Sequence, residues 1–152
     1  MEKSDLQTIV FNDANRIVHA IQSGAGWEIW LQVELAILFK EIPNFSVARE
    51  VPYEPPYQSM KLDLLLRDAT MKCYAIELKV ESATNAGSAI LGALAQDRAK
   101  LSYYPPGPAT RWILALVYSS EAINKLAAYA ERPENAAEFK IQHGLGVLVA
   151  TV

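Results

Sequence analysis

The chain has 152 residues, 51% of them hydrophobic and 20% charged, with a formal net charge of -3. That balance excludes wholesale disorder and suits one core of ordinary size, so a single domain spanning 1–152 is expected. It also argues against nonspecific coating of nucleic acid, which rests on counterion release by many Lys and Arg.

Further exclusions follow from particular residues. The longest apolar stretch, 29–39, is interrupted by Gln32 and Glu34 and falls short of the roughly 20 residues a bilayer needs, so no membrane association is expected. The opening MEKSDLQ is polar and acidic, unlike a secretory leader. A lone Cys73 leaves no internal disulfide and no multi-Cys zinc site, and a reducing, cytoplasmic location is the expectation.

In chain order, the spacing of Leu6, Ile9, Val10, Ile17 and Ile21 predicts a first helix over 5–21, capped by Ser4 or Asp5 and ended at 23–26. It reads as an addition to the core. A second helix over 27–41 is apolar nearly all round, so burial on every side is expected. Strands follow at 46–51, 60–67 and 72–80, the last two joined by the turn Asp68-Ala69-Thr70 as a hairpin. A helix over 85–102 comes next, rich in Ala and Gly. The apolar run 112–118 reads as a strand buried on both faces of a parallel sheet. A helix capped by Ser119 or Ser120 and a last strand over 144–152 complete an α/β sandwich with a mixed sheet. The Pro clusters at 52–56 and 105–108 read as loops. Gly24-Ala25-Gly26 is no phosphate loop, since no strand precedes it and no Lys follows.

Alternation puts Asp63, Glu77 and Lys79 on the mixed faces of two adjacent antiparallel strands. If Asp63 lies opposite Glu77, Lys61 faces Lys79; a two-residue slip sets Asp63 opposite Ala75 and diagonal to Glu77. In both registers the carboxylates fall within roughly 5 to 8 Å. Two bare carboxylates at that distance repel, which a shared hard cation such as Mg²⁺ would relieve. Lys79 then reaches charge developing on phosphorus. The competing arrangement pairs Asp63 and Glu77 with Lys61 and Lys79 on a solvated face. Glu34 lies on an apolar face of its helix, among Trp30, Leu31, Ile37 and Leu38. A carboxylate there must be paired, protonated or bound to a metal. Ser88, Gly92, Gln96 and Lys100 form one stripe of the later helix, either facing the site or making a polar edge.

Glu34 on a helix, Asp63 on a hairpin strand, Glu77-Leu78-Lys79 on the next strand and a following helix with Gln96 together resemble the PD-(D/E)XK nuclease superfamily. The resemblance runs from about Trp27 to Tyr118 and rests on element order as well as the motif. Leu62 stands where that motif carries Pro. The resemblance implies a restriction endonuclease-like three-layer sandwich, with a mixed central sheet flanked by helices. It implies Mg²⁺, with Mn²⁺ as substitute, held by Asp63, Glu77 and Glu34. Lys79 would orient the attacking water, and Gln96 would reach the site. The implied activity is hydrolysis of phosphodiester bonds in DNA, or in RNA; the alternative is a noncatalytic binding, immunity or assembly module on the same fold.

Charge by segment fits a local phosphate site. The net charge is -4 over 1–59, +2 over 60–111 and -1 over 112–152. Neutralising Asp63 and Glu77 with metal would raise the central segment to +4, with Lys61, Arg98 and Lys100 available to nucleic acid. A core this compact offers few base-reading elements, so a homodimer or a partner protein is expected to assist. His19 and His143 lack partners at metal-ligand spacing. Tyr53, Tyr57, Tyr103 and Tyr104, beside the Pro-rich loops, either stack on bases or pack those loops down.

Overall fold

A computed structural model describes residues 1–24, 26–82, 86–105 and 109–152. The elements are α1 (Lys3–Asn12), α2 (Ala14–Gln22), α3 (Trp27–Glu41), β1 (Ser46–Pro52), β2 (Lys61–Arg67), β3 (Cys73–Val80), α4 (Ala89–Ser102), β4 (Ala109–Val117), α5 (Ser120–Ala130), a 3₁₀ turn (Pro133–Asn135), β5 (Ala137–Gln142) and β6 (Leu145–Thr151). The strands form one mixed sheet in the order β1-β2-β3-β4-β6-β5. Among the described residues only the β3–β4 pair is parallel.

Alternation along the central strands divides the core between the two faces. Leu64, Leu66, Tyr74, Ile76, Leu78, Trp112, Leu114 and Leu116 pack against α1, α2 and α3. Ala75, Ile113, Ala115 and Val117 pack against α4 and α5. The result is a mixed α/β sheet with helices on both sides, as the patterning predicts.

Four local readings need correction. The first helix breaks at Asp13, where φ is -103° and ψ 12°, because adjacent Asn and Asp side chains compete with the helical backbone. It starts at Lys3, and the Glu2 N–H donates to Asp5 Oδ2 at 2.6 Å, so Asp5 caps from inside the first turn. Its Leu6, Val10, Phe11 and Ile17 are buried within the main core, which makes the segment part of that core. Second, α3 is not buried all round: Ile29, Val33 and Ile37 are 68%, 37% and 47% exposed along one flank. Third, β4 is parallel to β3 but antiparallel to β6. Fourth, β5 went unread. Its signal is the alternation Ala137, Phe139, Ile141 against Glu138, Lys140, Gln142, closed by a two-residue turn. His143 and Gly144 have φ of 53° and 76°, between the paired residues Gln142 and Leu145, the geometry that suits a twisted hairpin.

Ser119 caps α5 as expected, its hydroxyl accepting from the Ala122 N–H at 3.2 Å. The helix expected over 85–102 begins only at Ala89; Asn85, Ala25 of the glycine turn and residues 106–108 of the second Pro-rich loop lie outside the described residues. No helix among the described residues is long and apolar enough to cross a membrane.

Candidate active site

The site forms where β2 and β3 part. Their ladder pairs Leu64 with Ile76, and one further step sets Asp63 opposite Glu77, the first of the two registers. There Asp63 replaces the ladder with its own side chain: Oδ2 accepts from the Leu78 backbone N–H at 2.7 Å. Its Oδ1 accepts from Gln32 Nε2 of α3 at 3.0 Å. Gln32 in turn accepts from Arg49 Nη2 of β1 at 3.3 Å. The Asp63 carboxylate is thereby held in one orientation by neutral donors.

Glu77 is 1% exposed. Its Oε1 accepts from the Tyr53 hydroxyl at 2.9 Å, and its Oε2 pairs with Lys100 Nζ of α4 at 2.7 Å. Burial first, then the neighbouring Asp63 charge, push the Glu77 carboxyl up to about 8 against the partial relief of Lys100 and Tyr53. The same environment raises the Tyr53 phenol, through burial and then through Glu77.

Lys79 spans the two helices that flank the opening. Its Nζ lies 3.3 Å from Glu28 Oε2 of α3 and 3.3 Å from Asp97 Oδ2 of α4. Burial alone would depress this ammonium; Asp97 and Glu28 together outweigh it and hold it above the ordinary lysine range. Asp97 is raised by burial, with Lys79 drawing it back in part. Glu28 also accepts from the Val80 N–H at 3.3 Å, fixing the end of β3 to the start of α3.

The α3 carboxylate at this site is therefore Glu28, not Glu34. Glu34 projects from the opposite side of α3 to Gln32, is 3% exposed, and pairs with Arg16 of α2 at 2.6 Å. Arg16 supplies the pairing that burial of the Glu34 carboxylate demands. Gln96 is exposed, and the neighbouring Asp97 takes the inward place. Arg98 turns to α5, where Nη1 donates to the Tyr129 hydroxyl at 3.3 Å. Lys61 is exposed beside Glu50 at 3.7 Å. Of the three cations read as nucleic-acid contacts, only Lys100 reaches the carboxylates.

Glu28, Gln32, Asp97, Tyr53 and Arg49 escaped the sequence reading. The spacing of Glu28 and Gln32, one helical turn apart, and of Asp97 and Lys100 carried a usable signal. Tyr53 carried none, because a loop brings it in. The tyrosines pack the loops together: Tyr53 meets Tyr104 edge-on at 5.2 Å between centroids, and Tyr57 lies 4.7 Å from Tyr103.

Four carboxylates thus surround two lysines. The donor set fits a hard divalent cation, since Asp63 and Glu77 offer oxygen ligands on facing strands and Mg²⁺ needs only one or two carboxylates beside water. Among the described residues there is no group of three or more His, Cys, Asp or Glu that could together hold a metal ion.

The fold and site define an α/β protein with a lysine–carboxylate cluster at the parting of two sheet strands. No protein-family model, curated protein or solved structure matches the chain.

Proposed function

We propose that this chain is a metal-dependent nuclease of the PD-(D/E)XK type, hydrolysing phosphodiester bonds in DNA, with RNA the second substrate. The observation that carries this reading is the placing of Asp63 opposite Glu77 at a break in the β2–β3 ladder, with Lys79 two residues further along β3 and braced by Glu28 and Asp97. A buried ionic cluster stabilises a fold less well than apolar packing of the same volume. Its presence here is explained by chemistry. Asp63 and Glu77 would hold Mg²⁺, or Mn²⁺ in its place, which when bound supplies Lewis-acid activation of water and phosphodiester. Gln32, the Leu78 N–H and Tyr53 orient those carboxylates. Lys79, braced on both sides, presents a fixed positive charge where negative charge grows on phosphorus. Base-reading surface comes from a second copy or a partner protein.

A second reading is a noncatalytic binding module on this fold. Its support is that both lysines are already engaged, Lys79 with Glu28 and Asp97, Lys100 with Glu77. One pair of experiments separates the two: Mg²⁺ and Mn²⁺ calorimetry beside plasmid nicking, on the wild type, Asp63→Ala and Glu77→Ala. Saturable binding and nicking that both substitutions abolish support the nuclease. Absence of both in the wild type leaves the binding module.

A further inference from the structure

The two lysines of the cluster are held differently. Lys79 sits between two carboxylates on separate helices and its side chain is 16% exposed. Lys100 has a single acidic partner, Glu77 Oε2 at 2.7 Å, and its side chain is 29% exposed against 1% for that of Glu77. Lys100 is therefore the more solvent-reachable half of the pair. Glu77's other oxygen is held by the neutral Tyr53 hydroxyl. Both Asp63 oxygens accept from neutral donors, Gln32 and the Leu78 N–H, which leave lone pairs available to a cation. Lys100 is thus the one positively charged group in direct contact with the Asp63–Glu77 pair among the described residues. It stands in the last turn of α4, on a flexible four-carbon stem that can swing without disturbing the helix.

We propose that Lys100 is an internal counter-cation that occupies the divalent-ion position beside Glu77, so that loading the site displaces its ammonium toward the substrate phosphate. The proposal rests on the nuclease reading and adds its regulation. Without divalent ion the carboxylates are neutralised from within and the lysine is withheld from substrate. With it, the same lysine becomes a phosphate contact. The exchange costs a charge-assisted hydrogen bond, so metal affinity is held down by roughly tenfold relative to a site lacking the lysine charge.

The test uses the intact wild-type chain with lysines labelled with carbon-13 at Cε, followed by NMR during a Mg²⁺ titration that is run in parallel by calorimetry. The Lys100 resonance, identified by its loss in Lys100→Gln, is expected to move toward that of a solvent-exposed lysine with the same midpoint as the heat of binding. Lys79 is expected to shift far less. Saturable heat with Lys100 unmoved overturns the displacement while leaving the nuclease reading intact. No heat and no shift overturns both. In Lys100→Gln, Mg²⁺ affinity relative to the wild type is expected to rise roughly tenfold; unchanged or weaker affinity counts against the proposal. If Lys100→Gln folds poorly, loss of the same resonance in Lys100→Arg, which keeps the positive charge beside Glu77, identifies it in the wild-type spectra.

Discussion

Glu77→Gln tests the electrostatics of the cluster independently of any activity. In the folded chain the Glu77 carboxyl is raised from 4.5 to about 8. Below about pH 4.5 the group is protonated in both folded and unfolded chains, and no penalty arises. Between about 4.5 and 8 the folded chain keeps a proton that the unfolded chain has lost, so raising the pH drives unfolding. Above about 8 the penalty is complete. At 1.36 kcal/mol per pH unit this comes to about 3–5 kcal/mol between pH 5 and 8. For a domain of this size that is a fall in Tm of about 9–15 °C. Asp97, also raised by burial, adds the same sign. Asp68 is held down to about 2, chiefly by the Thr70 hydroxyl; its contribution fades only as the pH drops toward 2 and leaves this window untouched. Glutamine keeps the shape of Glu77 and its acceptor for Tyr53, but cannot ionise. Thermal melts of wild type and Glu77→Gln at pH 5, 6, 7 and 8 should therefore show a steep decline in the first and a shallow one in the second. A flat wild-type profile, or the same slope in both proteins, would refute the argument. On the nuclease reading, Mg²⁺ at pH 8 should restore the wild type and not the variant.

Other substitutions address single links. Glu34→Gln should cost about 1–3 kcal/mol in urea denaturation through loss of the Arg16 pair, with Mg²⁺ affinity unchanged; weaker metal binding would return Glu34 to the site. Lys79→Met, on the nuclease reading, should lower nicking by at least about a hundredfold while Mg²⁺ still binds, and retained nicking would remove Lys79 from the chemistry. Glu81→Ala deletes a buried carboxylate that accepts from the Tyr118 and Ser119 N–H groups at 2.8 Å each and from the Ser119 hydroxyl. A loss of about 2–4 kcal/mol is expected, with faster amide exchange at Tyr118 and Ser119; a loss below about 0.5 kcal/mol would show that solvent replaces it. Gly146→Ala places a methyl 2.7 Å from Phe139 Cζ and 3.0 Å from Val117 Cγ2, and should destabilise by about 1–3 kcal/mol, read from the same denaturation curves.

Much of the fold was legible because it rests on local patterning. The 27–41 helix, the β2–β3 hairpin and the buried β4 each announce themselves through periodicity within a dozen residues, and each lies where that periodicity puts it. The break at Asp13 was masked because apolar spacing continues across it. The short β5 was passed over for its charged, exposed outer face, although its alternation and its His143–Gly144 turn are both local signals.

The site divides along the same line. Asp63, Glu77 and Lys79 could be read as neighbours from strand alternation alone, since the period of two leaves few registers for a short hairpin. At 100° per residue Glu28 and Gln32 fall on the side of α3 away from Glu34, but that spacing does not say which face meets the sheet opening and which meets α2. That depended on how α3 rotates as Leu31, Leu35 and Phe39 bury and on where α2 delivers Arg16. Likewise, whether Gln96 or Asp97 turns inward is a question of roughly 100° of helix rotation, settled by the burial of Ile90, Leu94 and Leu101 against the sheet. The sequence by itself determined the fold class and the paired strand carboxylates, because these follow from neighbours along one chain segment. Only the tertiary structure decided which helix residues complete the cluster, because a side chain's partner across two layers is chosen by packing.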